Sequence, residues 1–267
     1  MKLCYINITE EKITGPYLDI LEKTAEKVLR PDTKMEIKSV KPGLTRAFDL
    51  HPYFLFLNKR SIIERAIEAE KEGFDAAVVG CFADPGVREA KATVNIPVIG
   101  IAEASMIYAC MLGRKFAIVT LNEPFFIPDM EEMITQYGMQ SRAIRNPIRL
   151  IKTSSFDVFT KGMKDPMMVA EDIKERAKEC AADGADVVIV GCNGLGPLCT
   201  LTNMVQIEEN SIPILDCISV GMKIAEISYE FSECLGIPFA SRNGSNALPK
   251  EKSLNRVRKN FGLKEIV

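Results

Sequence analysis

ERAIEAEKEGFDAAVVGC at residues 64–81 returns without a gap as ERAKECAADGADVVIVGC at residues 175–192, and the two copies agree at about half their positions. Each copy reads as a helix running into a short apolar strand, residues 76–80 in one and 187–191 in the other, with a cysteine where the strand stops. Cys81 and Cys192 therefore stand at the edge where open parallel α/β sheets hold their ligands. The correspondence continues beyond the cysteines: Ile96-Pro97-Val98-Ile99 parallels Ile212-Pro213-Ile214-Leu215, and Met106 and Ala109 parallel Met222 and Ala225. Each half is helix, strand, cysteine, helix, strand, helix. Two such halves can face each other across a cleft with one sulfur on either side. That arrangement suits removing a proton from one face of a carbon and returning one to the other.

Working outward, strand and helix alternate as a parallel sheet requires. Residues 2–8 read as a first strand and 16–29 as a helix, with Leu18, Leu21, Ala25 and Val28 at helical spacing and Pro31 ending it. Residues 35–40 read as a second strand, Pro42-Gly43 as a loop and 61–72 as a helix. After Cys81, Asp84-Pro85-Gly86 breaks the chain before a short helix at 87–93 and a strand at 97–100. Between the copies, residues 114–121 open a second sheet with Thr120 at the strand's end. A helix at 129–137 and a strand at 141–145 follow. Residues 146–165 show no period and read as a loop, and 167–182 as an amphipathic helix. Past Cys192, Gly194 and Gly196 open a turn, residues 198–209 read as a helix, and 217–234 as the counterpart of the helix at 102–112. The Lys-, Arg- and Asn-rich tail from Ser241 reads as solvated loop and a last short helix.

The 267 residues are 47% hydrophobic and 26% charged, enough apolar surface for a real core. A formal net charge of -2 supplies no basic field for nucleic acid, and no Lys/Arg block suggests an anionic membrane surface, so a small molecule is the expected partner. The apolar run at the N-terminus is too short for a signal peptide, and Pro97, Gly100 and Glu103 divide the longest apolar stretch, 96–113. A cytoplasmic protein is expected. Eight cysteines without a CxxC pair argue against a disulfide framework, and with His51 as the only histidine no metal centre is expected.

Proton removal next to a carbonyl leaves an enolate-like anion, which preorganised donors must hold; backbone N–H groups after Cys81 and Cys192 are suitable. A thiol of ordinary pKa, about 8.5, is mostly protonated at neutral pH, so one sulfur must be favoured as thiolate while the other keeps its proton. Helix N-terminal dipoles are the expected means. Asn7, Thr9, Thr120 and Asn193 are candidate hydrogen-bonding partners of the substrate, or else local caps and turns. Phe82 and Gly194 border the two cysteines and join them as candidate contacts, while Gly194 and Gly196 let backbone approach an anionic group. His51, beside Pro52 and two aromatics, reads as a packing or pocket-wall residue, and Glu103 as a helix-start charge. No dinucleotide fingerprint or P-loop is present, so no nucleotide cofactor is implied.

VVGCFADPGV with IPVIGIAEASMIYACMLG, then KFAIVTL, GADVVIVGCNGLGPL and IPILD, resembles the aspartate/glutamate/hydantoin racemase superfamily, in particular its hydantoin and allantoin racemase branch. The resemblance covers most of the chain from Phe74 to Ala225. It implies a cofactor-independent racemase of two similar Rossmann- or flavodoxin-like α/β domains related by a pseudo-twofold axis, with the site in the cleft between them. By the same resemblance Cys81 and Cys192 are the acid and base, and Thr120 is the threonine ending the interdomain strand. It implies crossed domains too: residues 1–100 with 217–267 carrying Cys81, and 101–216 carrying Cys192. Members commonly form homo-oligomers.

The chain departs from the branch where the pocket is lined. Asn7-Ile8-Thr9 replaces an Asn-Pro-Asn-Thr loop, LTRAFDLHPYFLF replaces a Gly-Pro-x-Ser-Ile-Glu segment, and Asn193-Gly194-Leu195 stands where Ala-Gly-Met is commoner, so the substrate need not be a simple hydantoin. Two other classes stand beside the racemase reading. One is a decarboxylase- or maleate-isomerase-like enzyme of the superfamily, although the decarboxylases use a single cysteine. The other is a non-catalytic small-molecule binding protein.

Overall fold

The apolar runs ahead of the two cysteines, AAVV and VVIV, are buried along their whole length, as strands covered on both faces must be. They are the inner strands of two sheets. A computed structural model describes residues 1–10, 15–46, 49, 51–208 and 211–266. The chain runs β1 (Lys2–Thr9), α1 (Gly15–Val28), β2 (Lys34–Leu44), α2 (Pro52–Lys71), β3 (Ala76–Val79), α3 (Val87–Lys91), β4 (Val98–Gly100) and α4 (Ile101–Leu112). It continues with β5 (Phe116–Thr120), α5 (Ile127–Gln136), β6 (Ala143–Leu150), α6 (Ser155–Asp157), α7 (Pro166–Ala182), β7 (Val187–Val190), α8 (Gly196–Leu201), β8 (Gln206–Ile207), β9 (Ile212–Asp216), α9 (Cys217–Leu235) and α10 (Glu251–Asn260).

The sheets have strand orders β2-β1-β3-β4 and β6-β5-β7-β9-β8, every pair parallel except β8 with β9. Discounting β8, the order is the same in both, so the internal repeat is a repeat of topology. In each sheet the direction of winding changes beside the first strand, between β1 and β3 and between β5 and β7, where a crevice opens at the strands' carboxyl ends. The chain emerges there into Gly80-Cys81 and Gly191-Cys192. Register sets Ile6 beside Val79 and Val119 beside Val190, which brings Asn7 level with Gly80 and Thr120 level with Gly191. α4 and α9 pack on each other between the sheets, and α9, leaving the second sheet at Asp216, lies also on β3 and β4 of the first.

Several elements differ from the sequence reading. α1 buries Tyr17, Ile20, Leu21, Thr24 and Ala25, a face turned from the one drawn through Leu18 and Val28; Thr24 is admitted because its hydroxyl donates to Ile20 O at 2.8 Å. α2 starts at Pro52, nine residues earlier than the periodicity suggests, because His51 caps it by accepting from Tyr53 N. The stretch 146–165 is not one loop. β6 runs on to Leu150, and a helical segment follows that includes a π-turn, Val158–Gly162. The helix expected at 198–209 stops at Leu201 and gives way to β8; Glu209, its expected end, lies outside the described residues, as do Ala47, Phe48 and Leu50 of the LTRAFDLHPYFLF segment.

Candidate active site

Cys81 and Cys192 are nearly closed off from solvent, at 4% and 6% exposure, and their loops share a fold. In each, the amide two residues on points at the sulfur: Ala83 N–H toward Cys81, and Gly194 N–H toward Cys192 at 3.3 Å, with Leu195 N–H adding to the second. The loops also meet. The Phe82 ring lies against Gly191, leaving no room for a Cβ there, and charge on Cys192 raises the Cys81 pKa. Thr120 Oγ1 donates to Gly191 O at 2.9 Å, fixing the same strand end.

Burial dominates the electrostatics. It pushes the Cys81 thiol up to about 12 and Cys192 up to about 11, against the lowering pull of the backbone amides. The expectation that helix dipoles hold one sulfur as thiolate is thus corrected for the ligand-free protein. α3 and α8, the helices that follow the two cysteine loops, span only 5 and 6 residues.

Of the predicted contacts, Phe82, Thr120, Asn193 and Gly194 gather around Cys192. Asn193 accepts from Cys192 Sγ at 3.8 Å and donates through Nδ2 to Tyr17 Oη at 3.3 Å. The Phe159 ring of the π-turn covers Gly194. Asn7 and Thr9 close the end of β1 instead: Thr9 Oγ1 donates to Asn7 Oδ1, and Asn7 Nδ2 to Ser39 Oγ at 3.0 Å. His51 is a helix cap. Glu103 sits in the first turn of α4 and pairs with Lys91.

Three groups around the sulfurs escaped the sequence reading. Tyr17 and Tyr5 share a 2.7 Å hydrogen bond, and Tyr5 lies over Gly80; Tyr17 stands off the α1 face drawn from the sequence through Leu18 and Val28. Cys217, fully buried, shares a hydrogen bond with the Cys192 backbone; its repeat partner is Ile101, so duplication gave no signal for it. Asp84 Oδ1 and Oδ2 accept from Ala102 N and Glu103 N at 3.0 and 2.9 Å, and Tyr137 Oη donates to Oδ2 at 2.8 Å. A cavity of about 620 Å³ adjoins this cluster, lined by Ala83, Asp84, Tyr137 and residues of α2 and α5. Neither cysteine lines it. Among the described residues no group of three or more His, Cys, Asp or Glu side chains is set to hold a metal ion.

The model of the Asp/Glu/hydantoin racemases matches residues 57–225, which takes in both cysteine loops. The chain belongs to that family. It is an isomerase of racemase type. Among the family's members it is similar to a hydantoin racemase of Pseudomonas sp. (strain NS671), 28% identical over 243 residues that cover 91% of this chain and 90% of the relative. A hydantoin racemase of Rhizobium meliloti is 30% identical over 161 residues, 60% of this chain and 62% of that one. In fold the racemase superposes on the allantoin racemase from Klebsiella pneumoniae with a TM-score of 0.78, at 24% identity over 95% of this chain and 96% of the other. The two-domain α/β architecture expected from the resemblance is therefore the fold of this racemase. No helix among the described residues is long and apolar enough to cross a membrane.

Proposed function

We propose that the protein racemizes a carbon next to a carbonyl, in a hydantoin-type, allantoin-type or amino-acid-like compound, with Cys81 and Cys192 as the two proton-transfer groups and no cofactor. The observation that carries this reading is the matched setting of the two sulfurs: same strand end, same amide two residues on, and loops packed against each other. One sulfur, as thiolate, takes the α-hydrogen as a proton. The electron pair delocalises into the carbonyl, and the other thiol gives its proton to the opposite face. The sulfurs finish with their protonation exchanged and the carbon inverted. Because a charge on Cys192 raises the Cys81 pKa, ionising one favours a protonated partner, the inventory that a two-base reaction needs. Bound substrate completes the site by exchanging buried thiol for a thiolate facing an acidic carbon, with backbone amides turned toward the developing enolate. Phe82, Thr120, Asn193 and Gly194 are its proposed contacts, joined by Asn7 and Thr9 at the β1 edge.

In the same reading residues 1–100 with 217–267, and 101–216, are the two domains, and the chain works in the cytoplasm as a homo-oligomer. Optically pure 5-substituted hydantoins, allantoin and free amino acids, followed by polarimetry and by deuterium uptake at the α-carbon, test the activity. For the compound that turns over, Cys81→Ala and Cys192→Ala should each lower racemization by a factor of about 100 to 10,000. Racemization that survives loss of either thiol rules out the two-base mechanism. Binding without any exchange of the α-hydrogen would favour a binding protein instead.

A further inference from the structure

Tyr17 and Tyr137 belong to corresponding helices, Tyr17 to the first turn of one and Tyr137 to the last turn of the other. Tyr17 is in α1, the helix after the first strand of the first sheet, and Tyr137 closes α5, the helix after the first strand of the second. Each phenol reaches away from its own half. Tyr17 Oη accepts from Asn193, the residue next to Cys192, whose Oδ1 is the acceptor for the Cys192 thiol. Tyr137 Oη donates to Asp84, in the loop of Cys81, where Asp84 N donates to Cys81 O at 3.0 Å. Asp84 has φ of +45°, a left-handed geometry that a non-glycine residue holds only when its surroundings enforce it. Its carboxylate is held by Tyr137 on one side and by the first amides of α4 on the other.

We propose that Tyr17 and Tyr137 are a crossed pair of positioning residues, each clasping the cysteine loop of the opposite half and aiming its sulfur into the cleft. The proposal rests on the reading of Cys81 and Cys192 as the proton-transfer groups. The two clasps are unequal. α1 packs directly on α8, and Tyr17 is buried with its second partner Tyr5, so the Cys192 side is closed by packing as well as by the bond. On the Cys81 side the 620 Å³ cavity separates α5 from α2, and the Tyr137–Asp84 bond spans the gap beside it. The Tyr137 clasp is therefore the one that opens to admit substrate, and the Tyr17 clasp the one that stays shut.

The test is alkylation of the intact, ligand-free protein with iodoacetamide, the rate at each cysteine read by mass spectrometry of its peptide. Tyr137→Phe should speed labelling of Cys81 about tenfold and leave Cys192 within twofold; Tyr17→Phe should speed Cys192 by a smaller factor, about threefold to fivefold because packing still closes that side, and leave Cys81 within twofold. Should Tyr17→Phe fold poorly because the Tyr5 hydroxyl loses its partner, the pair Tyr5→Phe with Tyr17→Phe removes both hydroxyls and asks the same question. Equal acceleration of both thiols in either variant, or no acceleration in both variants, overturns the proposal, since a merely structural tyrosine has no reason to act on the far half alone. With a turned-over substrate, Tyr137→Phe should lower kcat about tenfold while KM stays within twofold. Labelling needs no substrate, so a protein that racemizes nothing in the panel defeats the functional reading and leaves the crossed pattern to be judged on its own.

Discussion

Asp84 shows how much one side chain in the Cys81 loop is asked to do. It caps α4, bonds Tyr137, and stands close enough to Cys81 and Cys217 to raise both thiols' pKa. Burial lifts its own pKa from 3.8 to about 6, with the two α4 amides and Tyr137 pulling the other way and Glu103 adding to the rise. A carboxyl that binds its proton more tightly folded than unfolded stabilises the fold fully below about pH 4 and loses that contribution as pH rises through about 6. The size of the effect is on the order of 3 kcal/mol. Glu36, Asp157 and Glu226, whose pKa values are lowered, push the opposite way, so the quantity to measure is the difference between wild type and Asp84→Asn. In thermal melts at pH 4, 5, 6 and 7, the wild type should lose ground relative to the variant between pH 4 and 6. A pH-independent gap between the two would refute the shift. Residues of this kind are hard to read from a chain, because a motif such as Asp84-Pro85-Gly86 announces a turn without saying which helix start its carboxylate will face.

At the scale of elements, the two halves solve one problem in opposite ways. In the first, the carboxylate comes from the cysteine loop as Asp84, and Gly100 at the strand end leaves space for it. In the second it comes from the strand end as Asp216, which caps its own helix α9 through Ile218 N, and Gly196 after the cysteine loop leaves the space. A Cβ on either glycine would run into the carboxylate. The tail is the largely exposed loop and last short helix that its composition suggests, but two arginines tie it to the body of the protein. Arg242 donates to Lys91 O and Val94 O at 2.8 and 2.6 Å, and Arg258 on α10 forms two 2.7 Å bonds to Glu64 of α2. Arg258 is 7% exposed, so removing it strands Glu64 without its fork partner at a cost of about 3 kcal/mol. Arg258→Ala should lower the melting temperature and expose residues 236–250 to trypsin. Unchanged proteolysis would mean that α10 is held by something other than this pair.

For the whole molecule, the helices packed between the sheets turn apolar residues outward as well as inward. Ile107, Met111 and Leu112 on α4, and Ile227, Phe231 and Leu235 on α9, are each more than two-fifths exposed, more apolar surface than a solitary soluble chain usually leaves on two neighbouring helices. A homo-oligomer that covers these faces is the expected state. Sedimentation at micromolar concentration should give a dimer or larger, and Met111→Glu with Leu235→Glu should shift it toward monomer. A wild-type monomer would sink that expectation while leaving the chemistry of the cleft untouched.

By itself the sequence determined the repeat, the alternation of strand and helix, the α/β class and the two cysteines at matched strand ends, because burial on both faces forces unbroken apolar strands and duplication keeps the pattern in step. Tertiary structure alone decided which way the Tyr17 and Tyr137 phenols reach, that Cys217 lies beside Cys192, and that burial pushes both thiols' pKa up. These properties depend on side chains far apart in the chain meeting in a space without water, where a hydroxyl takes whichever partner the packing offers and a thiol's pKa follows what has been excluded from around it.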